Sequence, residues 1–209
     1  MRAPAPPFSA AEFRRRAERQ AALAHGEAYG DHHLNPALRH LILRGGLTDA
    51  AVLIPVVDRG PEATVILTQR PENLRRHAGQ IAFPGGRIDP DDGSPEIAAI
   101  REAEEEIGLP PGRVEVVGRL PDYVTGSGFR IAPVLSVVDP AFQMKLNPAE
   151  VEDAFEVPLA FLMNPANHQR QSRIWQNQER FFYAMPYGER YIWGVTAGII
   201  RALYERLYA

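Results

Sequence analysis

Residues 66–109 read ILTQRPENLRRHAGQIAFPGGRIDPDDGSPEIAAIREAEEEIGL, and the close of this stretch predicts a helix over 95–107. Ser94 is a natural N-cap, Pro95 suits the first helical position, and Glu96 sits where the helix dipole favours an acid. Gly108 ends the helix and Pro110 and Pro111 prevent its continuation. At 100° per residue, Ile97, Ile100, Ala103 and Ile107 fall on one stripe and Glu102, Glu105 and Glu106 on the opposite side. The expectation is one face in the core and one face of carboxylates, with Glu104 exposed at the helix end and without a role.

Those carboxylates oppose local physics. Acids near a helix C-terminus work against the macrodipole, and like charges at i, i+4 repel. A positive group in their midst would offset both effects. With no Cys or His nearby, a hard divalent cation, Mg²⁺ or Mn²⁺, suits such oxygens and can share itself with phosphate. The other reading, a solvated acidic face with Arg101 pairing Glu105, stays open on the glutamates alone.

Upstream, Ala51 to Val57 and Ala63 to Thr68 are apolar, strand-like runs joined by a turn at Asp58-Arg59-Gly60-Pro61, which predicts a buried hairpin. Arg70, Arg75, Arg76 and His77 form the most basic segment. The chain then re-extends through Gln80 to Phe83 into Gly85-Gly86, where consecutive glycines permit close backbone approach to a ligand or make a tight turn. At the N-terminus, Ser9-Ala10-Ala11-Glu12 is a capping-box pattern opening a helix to about Leu23. Loop and short helix are expected over 24–47. His32-His33 invites a metal reading, but adjacent side chains diverge on any regular element; His25 and His40 share that segment.

Downstream, Val114 to Leu120 and Ile131 to Val138 read as strands, and Gly126-Ser127-Gly128 marks the intervening loop as mobile. Glu150, Glu152 and Asp153 are expected to open a short helical stretch running into Pro158 and Leu159. Two aromatic strands follow, around Ile174-Trp175 and Arg180 to Met185. An amphipathic helix from about Thr196 closes the chain, with Ile199, Ile200, Leu203, Tyr204 and Leu207 inward.

The 209 residues, 45% hydrophobic and 23% charged, suit one domain with ample core. A formal net charge of −3 supplies no global field for nucleic acid, so an anionic ligand needs a local basic patch. The absence of cysteine excludes disulfides, thiol nucleophiles and thiolate metal sites. No run approaches the ~18 apolar residues of a membrane span, and no apolar secretory region opens the chain. Glu12 and Glu18 beside Arg14-Arg15-Arg16 count against a transit peptide. Cytoplasm is the expected compartment.

Arg101-Glu102-Ala103-Glu104-Glu105-Glu106-Ile107-Gly108-Leu109 resembles the second half of the Nudix box, REUxEExGU with U aliphatic, and Gly86 resembles its opening glycine. From Gly86 to Arg101 the spacing is one residue longer than usual, and the acids between are Asp89 and Asp92 rather than Glu. Just upstream, Leu67-Thr68, Arg70, Arg75, Gly79 and Phe83-Pro84-Gly85-Gly86 are similar to the LLTxR(S/A)x3Rx3Gx3FPGG signature of Nudix coenzyme A pyrophosphatases, with Ile66 for Leu and Pro71 for Ser or Ala. A looser likeness takes in Phe155 to Leu159 and Gly194-Val195-Thr196.

The resemblance implies an α/β (α+β) protein: a Nudix-type α/β/α sandwich on a mixed sheet over 1–209, with an N-terminal helical extension at about 9–47. It implies metal-dependent hydrolysis of the diphosphate of coenzyme A or acyl-CoA to 4′-phosphopantetheine and 3′,5′-ADP. Glu102, Glu105 and Glu106 would hold Mg²⁺ or Mn²⁺, with Gly86 giving space and a backbone carbonyl, and Arg101 would orient the cluster. Glu105, Arg101 and Glu102 are the catalytic candidates. Arg70, Arg75, Arg76, His77 and Gly85 are the substrate-binding candidates, the arginines being expected to grip the 3′-phosphate. The general base is not legible, Glu150 and Glu152 being the nearest suggestions. A Nudix enzyme for ADP-ribose or another nucleoside diphosphate derivative, and a silent nucleotide-binding regulator, are the alternatives. No nucleic-acid or membrane partner is expected, and a homodimer stays open.

Overall fold

In the computed structural model, which describes residues 5–21, 28–42, 46–73, 78–175 and 177–209, the chain begins with α1 (Ala10–Ala21), β1 (Tyr29–Gly30), α2 (Asp31–Leu34) and α3 (Arg39–Ile42). It continues through β2 (Thr48–Val57), β3 (Thr64–Gln69), β4 (Ile81–Ala82), β5 (Gly85–Arg87) and α4 (Pro95–Ile107). Then come β6 (Val114–Arg119), β7 (Tyr123–Val124), β8 (Phe129–Val138), β9 (Asp153–Pro158) and α5 (Leu159–Leu162). The last elements are β10 (Gln169–Trp175), β11 (Gln178–Tyr187), β12 (Arg190–Trp193) and α6 (Val195–Leu207).

Alternation along β2 and β8 explains the layers. Ala51, Leu53 and Val57, with Ala132, Val134 and Val138, face the core beneath α4. Ile54 and Val56, with Leu135 and Val137, face the core shared with α1 and α6. A period of two on a strand buried on both sides demands apolar residues throughout, and both strands supply them. Each fully buried Leu or Ile contributes about 1.5–3 kcal/mol of transfer free energy. The result is the expected α/β/α sandwich. β2 and β8 run parallel over ten paired positions from Thr48↔Phe129 to Val57↔Val138. β3, β5 and β9 join antiparallel, so the nine-stranded sheet is mixed. β10, β11 and β12 make a separate antiparallel sheet.

The capping pattern at Ser9 is half realised. Its Oγ accepts the Glu12 N–H at 3.3 Å, but the Glu12 carboxylate is taken by Arg15 and Arg16. The predicted 58–61 turn and hairpin are present, paired through Val56↔Val65 and Val57↔Thr64.

Three local expectations are overturned. Glu150 to Pro158 does not open a helix: Asp153–Pro158 is a strand pairing all of β3, from Thr64↔Pro158 to Gln69↔Asp153. The free edge of β3 offers a row of backbone donors and acceptors, and satisfying it outweighs a local acid-rich helix signal. Ile97 is 56% exposed rather than inside; the buried face of α4 is Ala98, Ala99, Ala103, Glu106 and Ile107. Small alanines let the helix lie close to β2 and β5, which turns Glu106 inward. The loop expected to be mobile is tied down, with the Gly126 N–H on Asp31 at 2.7 Å and the Phe129 N–H on Thr125 at 3.0 Å. None of the described helices is long and apolar enough to cross a membrane.

Candidate functional site

The helix that carries the acids is anchored as its sequence requires. Ser94 Oγ accepts the Ile97 N–H at 3.3 Å, and Gly108 adopts φ 66°, the left-handed conformation that closes a helix without steric cost. Lys145 and Asn147 donate their N–H groups to the carbonyls of Ile107 and Glu106, each at 2.9 Å. This docks the 145–151 segment onto the last turn of α4 and brings Glu150 to the helix.

Ligand oxygens of Glu102, Glu106 and Glu150 lie within 4.8 Å of one another, and this is the group of three or more that could hold a metal among the described residues. Glu106 is 3% exposed. Burial, then the neighbouring charge of Glu102, push its carboxyl up to about 8. Glu102 is also raised, chiefly by burial. Carboxylates gathered this closely with so little water have oxygen-only donors and a deficit of positive charge, and they fit a hard divalent cation. The rings of His32 and His33 lie 4.3 Å apart, tilted by 38°, and belong to no such group.

Glu105 sits apart, with a side chain 54% exposed and Oε2 3.2 Å from Arg101 Nη1. Arg101 is the hub. It donates to Glu102 at 3.0 Å, to the Arg87 carbonyl at 3.2 Å, and with two nitrogens to Asp92 at 2.8 and 2.9 Å. Asp92 also accepts the Asp89 N–H at 2.7 Å. Its contact with Arg101 holds the Asp92 carboxyl down to about 2. The lengthened stretch between Gly86 and Arg101 is thus closed by Asp92, which positions Arg101 and stays out of the carboxylate group.

The two glycines have different duties. A Cβ on Gly86 would occupy the space of the Glu102 carboxylate. One on Gly85, at φ +155°, would collide with the backbone of Ala51 and Val52 across the β2–β5 pairing. The Gly85 N–H also points at Glu106 Oε2, 3.4 Å away.

Gly85 and Gly86 line a cavity of about 730 Å³. Its charged lining among the described residues is Arg70, Arg87, Arg173 and Arg180 against one acid, Asp31. Asp31 is engaged by Tyr123 Oη at 2.9 Å and the Gly126 N–H. Arg70 Nε is buried without a hydrogen-bond partner, and Arg70 contributes to the electrostatics of Glu106. Trp175, Phe181, Phe182 and Trp193 complete an aromatic wall. The N-terminal extension braces it: the Asn35 amide accepts from and donates to the backbone of Phe181, at 2.8 and 3.0 Å.

Of the sequence-predicted residues, Glu102, Glu106, Gly85, Gly86, Arg101 and Arg70 meet here. Arg75, Arg76 and His77 lie outside the described residues. Glu150, suggested by the sequence as a general base, instead joins the carboxylate group, whereas nothing local marks Arg173 or Arg180. Glu152 is exposed and outside the group.

The NUDIX domain family matches residues 47–178. A curated relative from Escherichia coli K12, "Uncharacterized Nudix hydrolase NudL", is 42% identical over 154 residues, 74% of this chain and 80% of its own length. Among solved structures, the Nudix hydrolase RenU from M. smegmatis is 27% identical with a TM-score of 0.46, covering 54% of this chain and 71% of that one. A MutT/nudix family protein from Enterococcus faecalis is 16% identical with a TM-score of 0.46, covering 95% and 74%.

Proposed function

We propose, since the chain belongs to the Nudix family, that it hydrolyses the diphosphate of coenzyme A or its acyl derivatives, releasing 4′-phosphopantetheine or its acyl form and 3′,5′-ADP. Nudix hydrolases cleave nucleoside diphosphate derivatives and use divalent ions such as Mg²⁺ or Mn²⁺. The observation that carries the finer reading is the carboxylate group beside a 730 Å³ cavity whose charged lining is four arginines to one acid. A cavity of that size suits a ligand larger than a mononucleotide. A long, multiply anionic substrate is what this lining would attract, and the signature over residues 66–86 is the one similar to coenzyme A pyrophosphatases.

In this reading Glu102, Glu106 and Glu150 would hold the cation, with the Gly86 carbonyl as a further donor and Glu105, which stands apart from them, left to act as base. The bound cation supplies neutralisation of the diphosphate charge and a more acidic water. A water oxygen bonds to one phosphorus as the bridging P–O bond breaks, and Glu105, on the solvent side, takes the proton. Arg101, itself fixed by Asp92, holds Glu102 and Glu105 in place. Arg70 beside Glu106, with the Gly85 N–H, serves the diphosphate oxygens. Arg75, Arg76 and His77 are assigned to the same substrate. Residues 1–209 act as one unit with the 9–47 extension bracing the cavity, in the cytoplasm. The test is a hydrolysis screen over CoA, acyl-CoA, ADP-ribose, NADH and dinucleoside polyphosphates with Mg²⁺ and Mn²⁺. CoA or acyl-CoA should give the highest kcat/KM; a clear preference for ADP-ribose would overturn the reading.

A further inference from the structure

Arg173 on β10 and Arg180 on β11 are directly paired across the strands of the small sheet, and both line the cavity. Like charges at opposed cross-strand positions repel, their Cβ atoms about 4.5–5.5 Å apart. Asp31, on the same cavity, offsets Arg180 only in part: neither guanidinium forms an ion pair among the described residues, and Arg180 Nε is buried with no hydrogen-bond partner. Unmatched buried donors are rare in folded proteins because each forfeits its hydration. Around the pair lie flat aromatic faces. Arg173 stands over the Trp193 ring, 5.4 Å from its centroid. Phe182 packs edge-on against Trp193 at 5.5 Å, and Trp175, two residues along β10, lines the cavity and is 54% exposed.

We infer that Arg173 and Arg180, with Trp175 and Trp193, form a second anion subsite, which receives a phosphate monoester carried on a nucleoside, away from the diphosphate held beside the glutamates. Two forked guanidiniums suit the oxygens of a phosphate monoester, and an indole face suits a base. The inference deepens the proposed function and rests on it for the identity of the whole substrate: in coenzyme A this group is the 3′-phosphate. It moves selection for that phosphate from the 70–77 segment to the small sheet.

Calorimetry on the whole protein without divalent metal separates the two ideas. Wild type should bind 3′,5′-ADP roughly tenfold to a hundredfold more tightly than 5′-AMP, the range expected for charge-assisted contacts. Arg173→Gln and Arg180→Gln should each shrink that margin, their combination should abolish it, and Arg180→Lys should keep part of it. The CoA to 3′-dephospho-CoA ratio of kcat/KM should fall in parallel. Because the pair is a repulsive one, the unliganded Arg173→Gln protein should melt no lower than wild type, which keeps the result readable if Arg180→Gln folds poorly. If the double variant hydrolyses CoA with an unchanged ratio and keeps its margin for 3′,5′-ADP, the subsite is refuted while the proposed function stands. If the margin is present and arginine-dependent but CoA is not cleaved, the subsite stands and the proposed function falls.

Discussion

The two charged regions, the glutamates around α4 beside the cavity and the arginines on β10 and β11 that line it, are both like-charge clusters, yet they are built in opposite ways. Glu102, Glu105 and Glu106 come to one side of α4 by the i, i+3, i+4 spacing of one helix, with Glu105 standing apart on Arg101, the counter-ion supplied beside them. Arg173 and Arg180 meet through strand register and form no ion pair among the described residues, Asp31 being the one acid on the same cavity. The contrast teaches that the acidic region has a framework of its own, with Asp92 fixing Arg101, whereas the basic region leaves its balance to what binds there.

The largest effect should come from the acidic region. Glu106→Gln is expected to lower kcat roughly a hundredfold to a thousandfold, the range for removing one electrostatic contact at a reaction centre, and Glu105→Gln to fall in the same range. Calorimetric binding of 3′,5′-ADP without metal should be far less affected by either change. If Glu106→Gln instead abolished that binding and spared turnover, the division of labour between the two regions would be broken.

Gly85→Ala and Gly86→Ala sharpen the comparison within two adjacent residues. The first forces a side chain into the backbone of Ala51 and Val52 and should cost about 2 kcal/mol or more in denaturant unfolding. The second displaces only the end of the Glu102 side chain, so turnover should drop much more than stability. Equal losses of stability would show that both glycines serve the sheet.

Asp92→Asn removes the partner that aims Arg101, and a loss of about 10–100-fold in kcat/KM is expected, as for groups that orient a ligand set. It also has a pH signature. The folded Asp92 carboxyl is held to about 2 against an ordinary 3.8, so the stability it confers is complete above about pH 4 and is lost as pH falls toward 2. Melting curves across that window should fall less steeply for Asp92→Asn than for wild type. Identical slopes would mean that Asp92 and Arg101 are not paired in solution.

Divalent cations should raise the melting temperature. Saturation at a hundredfold excess over Kd is worth about 2.7 kcal/mol, roughly 5–10 °C for a chain of this size. Glu106→Gln should lose much of that shift and Arg173→Gln none of it. Equal shifts in all three proteins would place the ions elsewhere. The smallest effect is the relief of the cross-strand repulsion, with Arg173→Gln raising stability by about 0.2–1 kcal/mol.

The sequence by itself determined what is local in the chain. Ser94 and Gly108 cap α4, the 58–61 turn joins β2 to β3, and the helical repeat sets three glutamates side by side, because backbone geometry over a few residues needs no distant partner. The resemblance at 66–109 extended that to the family. Only the tertiary structure decided the rest. Glu106 turned inward because alanines let α4 lie against β2 and β5. Glu150 joined the glutamates because Lys145 and Asn147 bond to the end of α4. Asp153–Pro158 became a strand because β3 had an edge to satisfy, and Arg173 came to face Arg180 by a strand register no local signal encodes. Each of these depends on contacts between segments far apart in the chain, where backbone pairing and close packing outweigh local preference.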